Sequence, residues 1–255
     1  MLKLPTTPSL RLDGKRALVT GAGRGIGLAA SAALAAAGAD VTLAARSGEE
    51  IAALAKAINT AGGRAETATL DVTDLDAVRN LIAGRPSYDV LFNSAGTNLP
   101  ALARDVTEAD YDTVMDLNVK AALFLTREVA ESMRAAGRGG SIINVSSQMG
   151  HVGGPKRTVY CASKHALEGM TKTLAWEYGP DGIRVNTLCP TFVRTPMTQP
   201  MLEDETFRDL VLSKIALRRL GELEDIMGPT LLLASDAGAL ITGSALLVDG
   251  GWTAI

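Results

Sequence analysis

The chain has 255 residues, 47% of them hydrophobic, a formal net charge of −3 and two cysteines. That is enough apolar material for one well-filled core, and the slight acidity without a basic tract excludes nucleic acid or an anionic membrane surface as the main partner. No apolar run reaches membrane-spanning length, "MLKLPTTPSL" lacks a signal-peptide core, and Cys161 and Cys189 lack metal-ligand spacing, so a soluble cytoplasmic protein with no metal is expected.

"RALVT" (16–20) reads as the first strand, followed by a turn with Gly21, Gly23, Gly25 and Gly27 and a helix over 27–38. Glycines let backbone approach a pyrophosphate, and a helix N-terminus offers free N–H groups and a positive dipole end. The spacing Gly21-x3-Gly25-x-Gly27 departs from the G-x-G-x-x-G fingerprint, so the turn alone is a weak signal. The second strand, 40–45, ends on Ala44, Ala45 and Arg46, where the dinucleotide pattern asks for a carboxylate on the ribose 2′-hydroxyl. Arg46 and Arg24 suit a 2′-phosphate instead. NADP(H) is therefore expected over NAD(H), which stays as the alternative cofactor; two ordinary surface arginines are the bland reading.

A helix over 49–62 and a strand over 65–70 follow. Asp71 is placed to accept from an adenine amino group, and Asp74 to cap a helix over 74–83. A strand at 89–93, a long helix over 108–136 and a strand at 141–146 come next. The last of these ends on Ser146 and Ser147, at the sheet edge where ligands bind in open α/β folds. A helix over 158–178, a strand at 183–188, a helix over 223–234 and a strand at 244–250 complete the chain. Continuous apolar strands separated by helices imply an α/β fold with a doubly wound parallel sheet. With no linker and no repeat, 1–255 reads as one dinucleotide-binding domain. Its least periodic part, 191–222, is read as a mobile flap or as a surface connection with a short helix.

The helix at 158–178 places Tyr160 one turn before Lys164 among small residues, "VYCASK". A free tyrosine, with a pKa of about 10, is too weak an acid to serve as a base at neutral pH. A lysine at i+4 lies on the same helix face and favours the phenolate. Tyr160 is then a candidate acid/base for moving a hydroxyl proton, with Lys164 tuning it. Taken alone, such a pair is more often an amphipathic surface pair.

The chain resembles the short-chain dehydrogenases/reductases over nearly its full length, through "TGAGRGIG" (20–27), "NSAG" (93–96), Asn118 in "DLNVKAA", Ser147, "YCASK" (160–164), "IRVN" (183–186) and "VDGG" (248–251). The resemblance implies a Rossmann-type fold, a tetramer paired through the helices at 108–136 and 158–178, and a catalytic set of Asn118, Ser147, Tyr160 and Lys164. Ser147, thirteen residues before Tyr160, would hold the substrate oxygen. Lys164 would also hold the nicotinamide ribose, and Asn118 would anchor a water leading from Lys164 to solvent. The cofactor would meet Gly21, Gly23, Arg24, Gly25, Ile26, Gly27, Arg46, Asp71, Val72, Asn93, Ala95, Gly96, Tyr160, Lys164, Pro190, Val193 and Thr195. Two departures stand out. Ser94 replaces a common asparagine, and Thr191 follows Pro190 where a glycine is usual, which questions the backbone path there and narrows the pocket mouth if the side chain points inward.

Gln148, His151 and Thr191 are the leading candidates for substrate contact, with Thr97, Asn98, Gly153, Cys189 and 197–202 around them. Gln148 and His151 point to a polyol, sugar or hydroxy acid; Met149, Met197 and Met201 point to an apolar chain or an adaptable lid. Lys156 and Arg157 flank the approach to Tyr160 and would draw an acidic substrate or an acyl-carrier protein, or are simply solvated surface. The expected activity is an NADP(H)-dependent interconversion of a secondary alcohol and a ketone on a small substrate. A 3-oxoacyl-thioester reductase is the runner-up. A non-catalytic NADP(H)-sensing protein is the rival of another class.

Overall fold

Seven parallel strands form one sheet in the order β3-β2-β1-β4-β5-β6-β7 in the computed structural model, which describes residues 2–254. In chain order the elements are β1 (Arg16–Thr20), α1 (Gly25–Ala36), β2 (Asp40–Ala45), α2 (Gly48–Thr60), β3 (Arg64–Thr69), α3 (Leu75–Ala83) and β4 (Val90–Asn93). Then come α4 (Glu108–Met115), a π-helical segment (Asp116–Ala121), α5 (Ala122–Ala136), β5 (Gly140–Val145), α6 (Thr158–Tyr178) and β6 (Ile183–Pro190). The remainder is α7 (Gln199–Leu202), α8 (Glu205–Lys214), α9 (Glu224–Ala234) and β7 (Ala245–Val248). The direction of winding reverses between β1 and β4, and their C-terminal ends open the crevice in which such sheets bind ligands.

Side chains alternate between two apolar layers because successive strand residues face opposite ways. Ala17, Val19, Val41 and Leu43 pack with Ala30 and Leu34 of α1 and with Ile226 and Leu233 of α9. Leu18, Leu91, Ile142 and Val185 pack on the other face with Val78 of α3, Leu125 and Val129 of α5 and Leu174 of α6. Both faces are thus covered, which is why the inner strands read as unbroken apolar runs. Edge strand β3 is the exception; its polar, partly exposed "RAETAT" pairs only with β2 and suits an outer position.

Two expectations change. The helix over 108–136 is interrupted by one π-helical stretch. The 191–222 region contains α7 and α8, which close over a small core of their own. Leu202, Val211, Ile215 and Leu220 pack there against Phe192, Phe207 and Trp252, with the Phe192 ring 5.7 Å from Phe207 and 5.8 Å from Trp252.

Candidate active site

The glycine turn is built by close approach. A side chain at Gly27 would run into the Gly21 carbonyl, and one at Gly21 (φ 63°) would sit 3.0 Å from Ser94 and the Ala95 nitrogen. The 20–27 turn and the 93–96 turn therefore abut. Gly25 (φ 58°) faces the Thr195 methyl, whose Cγ2 lies 3.4 Å from where a Cβ would be. This brings the loop after β6 onto the same cradle. Helices α2, α3, α4 and α8 start with a capping side chain, from Ser47, Asp74, Thr107 and Asp204. Helix α1 has none, and no acidic residue in its first turn. Its free N–H groups and positive end fit a pyrophosphate. Arg24, at the α1 cap, and Arg46, just past β2, are both exposed. Asp71 accepts from the Thr73 N–H and hydroxyl, and those bonds, together with the nearby Arg46 charge, hold its pKa low. These residues fit a dinucleotide with a phosphorylated ribose.

Other expected cofactor residues are arranged differently from their simplest reading. The Asn93 side chain is buried, accepting from Thr20 Oγ1 (2.8 Å) and donating to Asn144 Oδ1 (3.2 Å). It ties three strands together, and only its main chain is free to meet a ligand. Val72, Pro190 and Val193 are buried; Ile26, Ala95 and Gly96 are partly exposed. Thr195 exchanges hydrogen bonds with Thr198, which fixes the first turn of the 191–222 region.

Ser147, Tyr160 and Lys164 converge at the C-terminal ends of β5 and β6. Ser147 closes β5 in extended backbone, donates to Gln148 Oε1 (2.8 Å) and accepts from the Met149 N–H (3.1 Å). Lys164 is buried, donates to the Val145 carbonyl (2.8 Å), and places Nζ 5.6 Å from the centre of the Tyr160 ring. Burial pushes the Lys164 ammonium down to about 8, against the pull of the Cys189 thiol and Glu168. Burial pushes the Tyr160 phenol up, while the nearby Ser147 hydroxyl and the charge of Arg157 draw it back. The charge of Arg157 acts on the phenol as well, while Lys164 turns its Nζ towards the Val145 carbonyl and keeps it 5.6 Å from the ring centre.

Asn118 sits in the π-helical segment and is buried. Its Oδ1 accepts from the Thr97 N–H (2.8 Å), and its Nδ2 donates to the Thr97 carbonyl (2.9 Å) and Ser163 Oγ (3.1 Å). It clamps the loop after β4 to α6, a contact its expected water-anchoring role did not foresee.

The substrate candidates separate. Gln148 is buried against Ser147. His151 Nε2 lies 3.6 Å from Glu168 Oε1, with the ring partly exposed. Cys189, expected to line the pocket, is sealed inside the fold and donates to Glu168 (3.3 Å). Thr191 follows β6. It lines a cleft with Val193, Arg219, Asp225 and Val248. Its φ is not positive, and threonine stands there without left-handed strain.

Glu168 is the site residue that sequence reasoning missed. It is buried one turn beyond Lys164 and accepts from Thr187 Oγ1 (2.8 Å) and Cys189. The i+4 step that relates Tyr160 to Lys164 recurs from Lys164 to Glu168, and that was the available signal. Ligand-type atoms of His151, Glu168 and Cys189 lie within 4.8 Å of one another. Burial and the neighbouring Glu168 raise the thiol to about 12, so Cys189 serves as a proton-bearing donor to the carboxylate.

A family model described as enoyl-(acyl carrier protein) reductase matches residues 21–253. Gluconate 5-dehydrogenase of Gluconobacter oxydans is 37% identical over 246 residues, 95% of this chain and 96% of that protein. A 3-oxoacyl-[acyl-carrier-protein] reductase of Thermotoga maritima is 39% identical over 248 residues, 95% and 99%. The solved structure of a gluconate 5-dehydrogenase from Burkholderia cenocepacia, in complex with NADP and tartrate, superposes with a TM-score of 0.93 at 33% identity, covering 96% of this chain and 98% of that one. The chain belongs to the short-chain dehydrogenase/reductase family of oxidoreductases.

Proposed function

We propose that this protein interconverts a secondary alcohol and a ketone on a small sugar, polyol or hydroxy acid, using NADP(H). The observation that carries the reading is the meeting of three groups. Ser147 and Tyr160 stand near enough for the serine hydroxyl to act on the phenol, and Lys164 Nζ lies 5.6 Å from the centre of the Tyr160 ring. NADP(H), when bound, supplies or accepts the hydride at the substrate carbon. In alcohol oxidation Tyr160, as phenolate, takes the hydroxyl proton, and in reduction the phenol returns it to the developing alkoxide. Ser147 donates to the substrate oxygen after releasing Gln148. Lys164 brings positive charge to the phenol and to the ribose, and Asn118 holds Thr97 and α6 in register. Support for NADP(H) over NAD(H) comes from Arg24, Arg46 and the missing carboxylate after β2, and from the NADP in the Burkholderia relative. The gluconate-acting relatives support a sugar-acid substrate. A tetramer is in keeping with Tyr111 of α4 and Trp176 of α6, which stand 48% and 86% exposed.

The acyl-carrier-protein reductase relative keeps a 3-oxoacyl thioester as the second reading. One assay separates them. Purified protein with NADP+ is offered aldonates and polyols, and with NADPH a β-ketoacyl thioester, while nicotinamide absorbance is followed. Aldonate or polyol turnover is expected, with Tyr160→Phe binding NADPH yet losing about 10²- to 10⁴-fold in rate, the usual contribution of a general acid/base. Undiminished turnover in Tyr160→Phe would remove the proposed acid/base.

A further inference from the structure

Arg157 is a charge without a counter-charge. It stands just before the first turn of α6, three residues from Tyr160, and its backbone is fixed from outside. The Ala101 N–H donates to the Lys156 carbonyl (3.2 Å), and Ala101 pairs with Arg157 as a parallel bridge. The preceding Lys156 is held in left-handed backbone, φ 61°. This anchoring sets the direction of the Arg157 side chain, which is only partly exposed.

A guanidinium has five N–H donors and is costly to bury unpaired. Arg184 shows how this fold satisfies one: it donates to the carbonyls of Leu233, Ser235 and Ile241. Arg157 has no such set. Among the described residues its one side-chain hydrogen bond goes to the Met201 sulfur, at 3.1 Å, and no carboxylate acts on it. A thioether is a weak acceptor on a flexible side chain, easily displaced by an anion. Arg157 is the N-cap of α6 and precedes Tyr160 by three residues, about one helical turn, and its charge draws on the phenol.

We propose that Arg157 is a specificity-determining residue that receives the carboxylate of a hydroxy-acid substrate, displacing the Met201 sulfur while the alcohol carbon sits between Tyr160 and Ser147. The proposal rests on the alcohol/ketone reading above and adds to it the substrate's charge. A guanidinium matches a carboxylate in a two-bond fork that an ammonium cannot reproduce, so lysine should substitute only in part.

The test compares matched pairs that differ in the carboxylate. Tartrate and threitol share a four-carbon skeleton, as gluconate and glucitol share six carbons. Calorimetric titration into NADP+-saturated wild type should detect tartrate far more tightly than threitol. Arg157→Met should weaken tartrate on the order of 10- to 100-fold, with Arg157→Lys between the two. The ratio of kcat/KM for gluconate over glucitol should fall by a similar factor. Unchanged NADPH affinity and far-UV dichroism would show the variants intact, and the lysine variant keeps the test open should the methionine one not fold. Three results overturn the proposal: no tartrate binding to wild type, tartrate binding indifferent to Arg157, or equal losses for gluconate and glucitol. Loss of β-ketoacyl-carrier-protein turnover alone in Arg157→Met would also overturn it, by assigning the charge to a protein partner. Binding of tartrate does not require turnover, so failure here and failure of the redox reading are told apart.

Discussion

Lys164 carries an ammonium into a place that disfavours it. Its pKa falls from 10.5 to about 8 because it is buried, and one pKa unit is worth about 1.4 kcal/mol. Below pH 8 the charged side chain therefore opposes folding by about 3 kcal/mol. Between pH 8 and 10.5 the unfolded chain holds this proton and the folded one does not, so stability from this group rises with pH across that window. Lys164→Met removes the charge but leaves the Val145 carbonyl unpaired, a loss of about 1 kcal/mol. The expected outcome is an inactive protein whose Tm at pH 7 is higher by about 3–8 °C, with the gain fading between pH 8 and 10.5. Calorimetry of both proteins at pH 7 and pH 10 checks it, and a lower Tm at pH 7 would mean the ammonium is better paired than its surroundings imply. Spacing puts Tyr160 and Lys164 on one helix face, whereas the choice of Ser147 over Ser146 comes only with the family resemblance. The contact made by the ammonium is not legible there, because i+4 fixes the helix face and leaves the end of a four-carbon chain free to find Val145.

At the scale of elements, the π-helical stretch Asp116–Ala121 inserts an extra residue into the turn that presents Asn118. Hydrophobic periodicity predicted one helix over the whole length, since a single π turn barely shifts the apolar stripe. Strand and helix boundaries elsewhere came within a few residues, β1, β2 and α6 without any shift. The 191–222 region was misread as aperiodic for the opposite reason. Helices α7 and α8 are short, and their apolar face meets Phe192 from the irregular loop before them and Trp252 from the far end of the chain, so no local period reveals it. Asn118→Ala tests the π turn. It strips the partner from the Thr97 N–H, the Thr97 carbonyl and Ser163 Oγ. Leaving such groups unsatisfied should cost about 2–4 kcal/mol and lower Tm by about 5–15 °C. Hydrogen exchange should locate the loosening at 97–102 and the start of α6; a loss spread evenly over the sheet would contradict the clamp.

Across the whole molecule, the cofactor cradle is assembled from parts far apart in the chain: the 20–27 turn, the end of β2, the 93–96 turn, α6 and the Thr195 loop. A ligand that touches all of them stabilises the native state as one unit, by RT ln(1 + [L]/Kd), or about 4 kcal/mol at a thousandfold excess over Kd. In a chain of this length that is a rise in Tm of roughly 8–16 °C. The size of the shift then reads cofactor preference without any substrate. Arg46 is exposed beyond β2, near enough to Asp71 for its charge to act there, and the strand ends on Ala44, Ala45 and Arg46 with no carboxylate at its end; the nearest acids that follow, Glu49 and Glu50, belong to the first turn of α2. NADPH should therefore raise Tm more than NADH at equal concentration. Arg46→Asp puts a carboxylate where the 2′-phosphate would lie and beside Asp71, so it should shrink the NADPH shift and leave or enlarge the NADH shift. A wild type that responds equally to both would mean that Arg24 and Arg46 are surface charges and that the ribose is recognised without regard to its phosphate.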